Sequence, residues 1–292
     1  MPNPYYQDEQ VTLLLGDAIE QLRTLPAGSV DCIVTSPPYY KARDYGVDGQ
    51  YGQEPTARAF VEQMVAVFAE ARRVLKDTGT CWINIDESYR NKAALLVPER
   101  LIVGLQDDLW WVRNKNVWHK RNAMPEKVTD RLSHKYEHLF MITKQARGYH
   151  FDLDAIRKPI TEERKRHDRN ADLNRHTYAA PGTNHGTGPT SLHRTANPLG
   201  SNPGDVWDIP KRPGRHAGKH YATFPIDLPL RCIRAGCPAD GVVLDPFSGT
   251  GTTGLAALQL GRHYIGIDLD AGSHDLAIAD LAKEVIELEI PA

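Results

Sequence analysis

The sequence predicts an α/β protein in which an irregular insert interrupts a mostly parallel, doubly wound sheet. Short apolar runs alternate with longer amphipathic stretches up to residue 145, which is typical of successive βα units. The alternation stops in a polar region rich in glycine and proline, and it resumes at residue 241. A glycine-rich turn then lies between a strand pattern and a helix pattern, as nucleotide-binding sheets require.

Apolar spacing and capping residues place the individual elements. The apolar residues of 57–76 recur at helical spacing, with Thr56 as the N-cap and Gly79 beyond the predicted end. Strands are predicted at 12–15, 30–35, 80–85, 139–143, 241–245 and 263–268. Further helices are predicted at 17–25, 252–260 and 273–288.

The composition predicts one large or two small globular domains. The chain has 292 residues, of which 41% are hydrophobic and 25% are charged, and this balance excludes a wholly disordered protein. The apolar runs are too short to span a membrane and the N-terminus lacks a signal-peptide pattern, so we expect a soluble, cytoplasmic protein. The four cysteines form no CxxC pair and have no histidine at a metal-ligand spacing, which predicts free thiols and no metal site.

Basic residues are concentrated in one segment, although the net charge of the chain is −2. Residues 157–220 contain twelve Lys or Arg, six Asp or Glu and six His, so this segment carries +6. Within it, 181–204 contains five Gly and four Pro, which predicts a loop that orders only on a partner. A surface of this charge suits a polyanion such as nucleic acid; a solvated loop without a partner stays open as the alternative.

The glycine-rich turn predicts a nucleotide site. Gly249, Gly251 and Gly254 form a GxGxxG pattern that follows a strand and opens a helix, and Asp268 ends the next strand, where it can accept from ribose hydroxyls. Taken alone, this pattern suits NAD, FAD or S-adenosylmethionine. Asp245 at the end of the first strand disfavours a pyrophosphate and favours a ligand with an ammonium group.

A second turn offers acceptors for an amine. Ser36-Pro37-Pro38-Tyr39 follows the predicted strand at 30–35, and its two prolines remove backbone donors, so carbonyl oxygens and one hydroxyl are presented beside an aromatic ring. An exocyclic amine of a base would donate to the Pro37 carbonyl and to Ser36 Oγ, while Tyr39 stacks on the base.

These two motifs, in this order, resemble those of the amino-group DNA methyltransferases of the permuted β class. Residues 15–17, 118–125, 137–144, 205–210 and 220–225 resemble further motifs of that family. The resemblance implies a Rossmann-like class I methyltransferase fold with a circularly permuted motif order. It also implies three parts, with the catalytic half at 1–150, a target-recognition insert at 151–215 and the S-adenosylmethionine-binding half at 216–292.

The resemblance also implies roles for individual residues. The catalytic set is Ser36, Pro37, Pro38 and Tyr39. The residues expected to bind S-adenosylmethionine are Asp17, Phe224, Asp245, Phe247, Ser248, Gly249, Gly251, Thr252 and Asp268. The residues expected to contact DNA are Arg43, Lys120, Arg164, Lys165, Arg166, Lys211, Arg212 and Arg215.

The implied reaction is direct transfer of the sulfonium methyl to the exocyclic nitrogen of a base flipped out of double-stranded DNA. In the family a serine in the first position of the turn more often accompanies N4 of cytosine, and an aspartate there accompanies N6 of adenine, so Ser36 favours cytosine. Methylation at C5 is excluded because Cys32 lies inside a strand and Cys237-Pro238 has the wrong order for a nucleophilic motif.

Several alternatives stay open on the sequence. An adenine-N6 enzyme would use the same mechanism, and RNA would suit the same basic insert. A nicotinamide-dependent oxidoreductase would explain the glycines and Asp268 but would leave the Ser-Pro-Pro-Tyr turn without a purpose. A non-catalytic DNA-binding protein would not need two ligand motifs. A cognate restriction endonuclease and either a monomer or a homodimer are compatible with the resemblance.

Overall fold

The structure, a computed structural model, describes residues 3–44, 46–159, 197–211 and 223–289, with side chains of the last helix up to 283. The strands in these ranges are β1 (Tyr6–Gln7), β2 (Val11–Leu15), β3 (Val30–Thr35), β4 (Leu75–Ile85), β5 (Tyr89–Arg90), β6 (Ala93–Ala94), β7 (Trp111–His119), β8 (Tyr136–Thr143), β9 (Val206–Asp208), β10 (Val242–Asp245) and β11 (His263–Asp268). The helices are α1 (Ala18–Thr24), α2 (Ala57–Val74), α3 (Val97–Asp107), α4 (Asp227–Gly236), α5 (Thr252–Gln259) and α6 (Ala271–Glu289).

Nine of the described strands form one sheet in the order β1-β2-β11-β10-β3-β4-β8-β7-β9. The five central strands, from β2 to β4, are mutually parallel, whereas β8 is antiparallel to both β4 and β7. The last two strands of the chain therefore insert between β2 and β3, so both ends of the chain build one sheet. This confirms the predicted mostly parallel α/β architecture.

Helix α2 forms as the spacing predicts at its start. The Thr56 side chain accepts a hydrogen bond from the Ala59 N–H, and one face of the helix is buried against the sheet. The predicted end at residue 76 is wrong, because the helix stops at Val74 and β4 begins at Leu75. Leu75 pairs with Val30 in the neighbouring strand and Lys76 Nζ bonds the Asp31 carboxylate at 2.8 Å, so sheet pairing overrides the helical pattern there.

Strand β7 was not expected from the sequence, because its polar residues give no apolar alternation. It pairs along its whole length with β8 and continues the sheet to β9. Trp118 is buried in this strand, and its Nε1 donates to the Ile209 carbonyl at 2.8 Å. Residues 205–211 thus pack with the sheet, although the sequence places them in the insert.

The chain divides into two compact units, Met1–Asp152 with Asp205–Ala292, and Leu153–Gly204. In the described part of the second unit, Asp154–Ile156 forms a 3-10 turn and Lys158 pairs with Ser201 in an antiparallel bridge. The predicted loop at 181–204 lies outside the described residues except for 197–204, as does most of the basic segment. No helix in the described ranges has the length and apolar character needed to cross a membrane.

The third glycine of the GxGxxG pattern lets α5 pack against the sheet. A Cβ at Gly254 would lie 2.6 Å from a ring carbon of Tyr264, which is fully buried in β11. We therefore expect Gly254→Ala to lower the free energy of unfolding by about 1–3 kcal/mol through overpacking. The matched control is Gln259→Ala on the exposed side of the same helix, and urea denaturation measures both. Equal midpoints for the two variants would contradict this packing role.

Candidate active site

Carboxylate and hydroxyl side chains end or follow five neighbouring strands at one edge of the sheet. The carboxyl ends of the parallel strands β2, β11, β10, β3 and β4 meet there, and ligand sites of open α/β sheets form at this edge. The residues that end or follow these strands are, in spatial order, Asp17, Asp268, Asp245, Ser36 and Asp86. Strands lie about 4.8 Å apart, so Asp268 on β11 and Ser36 after β3 are separated by roughly 10 Å of sheet.

The glycine loop leaves room for a ligand. Gly249 and Gly251 both have left-handed backbones, with φ of 51° and 78°, so a side chain at either position would be strained. No atom lies within 4 Å of the place where a Cβ of Gly249 would stand, which leaves one side of the loop open. The Gly249 N–H donates to Asp268 Oδ2 at 2.8 Å, and this bond holds the loop over the end of β11.

Asp17 and Asp268 follow or end the neighbouring strands β2 and β11. The N–H of Gly16 donates to the Asp268 carbonyl at 2.9 Å. Burial raises the pKa of the Asp268 carboxyl, although backbone N–H groups of Asp270 and Gly249 oppose the rise. Asp17 caps α1 by accepting from the Glu20 N–H, and its other oxygen accepts from Tyr51 Oη at 2.6 Å.

Asp245 is a buried carboxyl held entirely by neutral donors. It accepts from Thr35 Oγ1 at 2.6 Å, Thr253 Oγ1 at 2.7 Å and the Phe247 N–H at 3.0 Å. Burial raises its pKa to about 6, against the lowering effect of these hydrogen bonds. Among the described residues no Lys, Arg or His forms an ion pair with it, so hydroxyl and amide donors alone satisfy this carboxyl.

Three of the other residues expected at the cofactor belong to this loop or to the start of α5, namely Phe247, Ser248 and Thr252. Phe247 packs edge-on against Tyr51 with ring centres 5.5 Å apart. Ser248 is buried and its hydroxyl accepts a hydrogen bond from Tyr264 Oη at 2.9 Å, so its side chain links the loop to β11. Thr252 begins α5, and Phe224 is half-buried three residues before α4.

The Ser-Pro-Pro-Tyr turn lies beside Asp245. Thr35, which bonds Asp245, is the last residue of β3, and Ser36 and Tyr39 are both half-buried. Ser36 Oγ donates to Tyr39 Oη at 3.2 Å, and Tyr39 Oη donates to Glu137 Oε2 at 2.6 Å. Burial and the nearby Glu137 carboxylate raise the pKa of Tyr39 well above its ordinary value, so Tyr39 remains a neutral phenol.

Glu137 belongs to a buried ion network behind the turn. Lys120 Nζ lies 2.7 Å from Glu137 Oε1 and 2.9 Å from Asp86 Oδ2, and His134 Nε2 lies 2.6 Å from Asp86 Oδ1. Lys120 and Glu137 are only 7% and 6% exposed. One ammonium therefore compensates two carboxylates in a place that water hardly reaches.

This network corrects the predicted role of Lys120. The sequence places Lys120 at a DNA phosphate, but its ammonium is buried and already neutralised by Asp86 and Glu137. Burial lowers the pKa of Lys120, but the two carboxylates outweigh burial, so the net pKa is raised. Lys120 is thus a buried structural cation behind the Ser-Pro-Pro-Tyr turn.

Attraction between opposite charges also shifts the pKa values of Asp86 and His134, at the other end of the network. Burial tends to raise the pKa of Asp86, but the hydrogen bond from His134 and the Lys120 charge lower it overall. The hydrogen bond to Asp86 in turn raises the pKa of His134. The sequence pattern gives no indication of Asp86 or His134. Glu137 is a charged residue within the largely apolar strand β8, and this is the one signal that points to a special role for it.

The residues expected to contact DNA fall into three groups. Arg43 and Lys211 are exposed, and Asn122 holds the Lys211 backbone through two hydrogen bonds of 2.7 and 2.8 Å. Lys120 is buried, as described above. Arg164, Lys165, Arg166, Arg212 and Arg215 lie outside the described residues. Within the described ranges no three His, Cys, Asp or Glu side chains are placed to hold a metal ion.

Comparisons with known proteins agree with this geometry. The family model described as DNA methylase matches residues 30–279. The type II methyltransferase M.Cfr9I of Citrobacter freundii is 37% identical over 94% of this chain and 88% of its own length.

Two solved structures share the fold. A DNA modification methylase of Thermus thermophilus, complexed with S-adenosyl-L-methionine, superposes with a TM-score of 0.60 and 27% identity, covering 94% of this chain and 93% of that one. The PvuII DNA methyltransferase, described as cytosine-N4-specific, superposes with a TM-score of 0.68 over 99% of this chain and 90% of its own, at 17% identity.

The sheet, the glycine loop and the acidic side chains at the carboxyl ends of the parallel strands define a class I methyltransferase that uses S-adenosylmethionine. The open side of Gly249 and the buried Asp245 carboxyl without a counter-cation fit a ligand that carries both an adenosine and an ammonium group. More particularly, the chain belongs to the DNA methylase family, whose β-class members methylate exocyclic amino groups at N4 or N6.

The raised pKa of Asp245 makes stability depend on pH. Between about pH 4 and the folded pKa of about 6, the folded state holds a proton that the unfolded chain has lost, so the free energy of unfolding falls as pH rises. We expect a loss of up to about 1.4 kcal/mol per pH unit in this window and no further loss above it. Urea denaturation of the native protein and of Asp245→Asn from pH 4.5 to 8 isolates this contribution. A difference between the two proteins that does not change with pH would contradict it.

Proposed function

We propose that the protein transfers a methyl group from S-adenosylmethionine to the exocyclic N4 of a cytosine flipped out of double-stranded DNA. The observation that carries the proposal is the Ser36 hydroxyl. It is a neutral acceptor that directly follows β3, and β3 lies next to β10, the strand that ends at Asp245. Its proton is directed to Tyr39 Oη at 3.2 Å, so its lone pairs point to other donors. An amine that donates to Ser36 keeps its nitrogen lone pair free for the incoming methyl group.

The chain positions the two reactants and contributes no covalent step. Asp17, Asp268, Asp245 and the glycine loop would hold S-adenosylmethionine, which when bound would supply an electrophilic methyl group and leave as S-adenosylhomocysteine. Ser36 Oγ and the Pro37 carbonyl accept the two amine protons, and Tyr39 lies against the base. As the N–C bond forms, these acceptors stabilise positive charge on N4, which then loses one proton to water.

The buried network fixes the orientation of Ser36. Tyr39 can donate one hydrogen bond, and the 2.6 Å distance directs it to Glu137 Oε2. Tyr39 Oη is thereby left as an acceptor for Ser36. Lys120 Nζ contacts the other carboxylate oxygen of Glu137, Oε1, at 2.7 Å, so Oε2 stays in place as the acceptor for Tyr39.

Nucleoside analysis tests the reaction and the target base together. The protein is incubated with S-adenosylmethionine and unmethylated genomic DNA, the DNA is digested, and the nucleosides are separated and weighed against synthetic standards. We expect N4-methylcytosine, which chromatography separates from its C5 isomer. N6-methyladenine as the product would overturn the argument from Ser36 but leave the transfer mechanism in place. A Ser36→Ala variant that methylates DNA at the full rate would show that the Ser36 hydroxyl has no part in the reaction. A methylated RNA with unmodified DNA would overturn the proposed substrate.

Removing the Tyr39 hydroxyl tests the orientation of Ser36. We expect Tyr39→Phe to lower kcat by about tenfold to a hundredfold, because Ser36 loses its acceptor while the ring is kept. Binding of S-adenosylhomocysteine and the KM for DNA should change little. Tyr6→Phe, whose hydroxyl bonds Asp8 at the far edge of the sheet, is the control. A Tyr39→Phe enzyme with unchanged kcat would contradict the role of this hydrogen bond.

We further propose that residues 151–215 recognise the target sequence, with their Arg and Lys at phosphates and base edges. The +6 charge of 157–220 supports this role. The relationship to a type II methyltransferase supports a cognate restriction endonuclease that cuts the same unmethylated site. The protein would act on duplex DNA as a monomer or as a homodimer.

A further inference from the structure

An open cavity of about 430 Å³ lies beside the catalytic turn and is not used by the mechanism above. One wall is formed by Tyr40 and Lys41, which directly follow Tyr39, and the other by Ser88, Tyr89 and Arg90. Ser88 Oγ donates to the Tyr40 carbonyl at 2.7 Å and joins the two walls. We call this cavity the hairpin pocket, because Tyr89 and Arg90 form strand β5 of the two-stranded hairpin β5–β6.

The hairpin pocket carries a net positive charge, because Lys41 and Arg90 outnumber Glu87 among its lining residues. Lys41 Nζ is held by two neutral acceptors, the Gln53 carbonyl at 2.7 Å and the Gln53 side chain at 3.4 Å. Arg90 is exposed, and among the described residues nothing accepts a hydrogen bond from its guanidinium. Glu87 is the acidic residue of the wall, and backbone N–H groups of three residues already bond its carboxylate. The pocket therefore attracts an anion.

An aromatic platform adjoins these cations. Tyr89 is 42% exposed, and the Arg131 guanidinium stacks on its ring at 4.0 Å from the centroid. The Glu126 carboxylate holds Arg131 at 2.7 Å, so the stack is fixed in place. Planar groups of this kind bind bases by stacking without regard to sequence.

The backbone of the hairpin is held in a tight, uncommon turn. Asn91 and Lys92 between its strands both have left-handed backbones, with φ of 50° and 67°, which defines a two-residue turn of the I′ type. Lysine rarely adopts this conformation, and here Lys92 Nζ bonds Asp130 at 2.6 Å. The short hairpin thus presents Tyr89 and Arg90 at the carboxyl edge of the sheet.

We propose that the hairpin pocket binds a nucleotide of the DNA substrate next to the flipped base. Lys41 and Arg90 bind its phosphate, and the Tyr89–Arg131 stack contacts its base. A pocket of about 430 Å³ has the size of a small-ligand site and suits one nucleotide. The inference rests on the proposed function in that DNA is the substrate, but it does not depend on which base is methylated. It adds a DNA contact within the catalytic half, separate from the insert at 151–215.

Binding measurements on the whole protein test the proposal without relying on activity. Fluorescence anisotropy follows binding of labelled genomic fragments of about 40 base pairs, with S-adenosylhomocysteine present, between about 50 and 200 mM salt. We expect Arg90→Ala to weaken binding by about tenfold and to reduce the salt slope by about one, as the loss of a phosphate contact predicts. The matched control is Arg23→Ala, an exposed arginine in the last turn of α1, at the opposite end of the sheet.

Substitutions at Tyr89 separate stacking from other roles. Tyr89→Phe should bind DNA within about twofold of the native protein, whereas Tyr89→Ala should bind at least about fivefold more weakly. A thermal shift on S-adenosylhomocysteine shows that each variant is folded. Either of two results would overturn the proposal. The first is that Arg90→Ala binds DNA as tightly as the Arg23→Ala control, and the second is that Tyr89→Phe binds DNA as weakly as Tyr89→Ala. Duplex RNA competing as well as DNA would overturn DNA as the occupant.

The outcome of the DNA-binding measurements is distinguishable from the outcome of the nucleoside analysis. Weakened binding in Arg90→Ala together with N6-methyladenine as the product keeps the hairpin pocket and overturns cytosine as the target. Unchanged binding together with N4-methylcytosine overturns the hairpin pocket and keeps the proposed reaction.

Discussion

The hydrogen bonds of the Asp245 carboxyl set the relative positions of both halves of the site. Through Thr35 this carboxyl bonds the end of the strand that carries Ser36, and through Thr253 it bonds the helix that begins at the glycine loop. The backbone N–H of Phe247 adds a third bond within the loop itself. All three donors are neutral, so hydrogen bonds to this buried carboxyl join the turn and the loop without a cationic side chain. The charge of Asp245 is left for a ligand.

Charge is arranged differently on the two sides of the site. Asp17, Asp245 and Asp268 accept from hydroxyl and amide donors in the described structure. Behind the Ser-Pro-Pro-Tyr turn, Lys120 lies between the Glu137 and Asp86 carboxylates, and Asp86 also bonds His134. Carboxylates without a cationic partner suit a cationic ligand, whereas charges that are already paired suit an uncharged base, because an unpaired charge beside the base would have to be desolvated. In the proposed reaction, the ion network orients the Ser36 hydroxyl.

Local pattern predicted the elements whose residues interact mainly with close neighbours along the chain. The Thr56 cap and the apolar face of α2 are examples, since both follow from spacing within one helix. The same reasoning failed at residues 75 and 76, where pairing with β3 overrides helical spacing. It also missed β7, in which Arg113, Asn114 and Lys115 are exposed, whereas Asn116 and Trp118 are buried and the strand pairs with β9. These failures share one cause, which is pairing with strands distant in sequence.

By itself the sequence determined the order of the motifs, the glycine loop and the Ser36 turn, because each is a short stretch whose backbone needs are met by its own glycines and prolines. Only the tertiary structure decided that Lys120 is a buried partner of Glu137 and Asp86 and not a phosphate contact. The same holds for the Tyr39–Glu137 hydrogen bond, which joins residues 98 positions apart. Burial and pairing of charges depend on which strands lie side by side, and spacing along the chain does not encode this for residues so far apart.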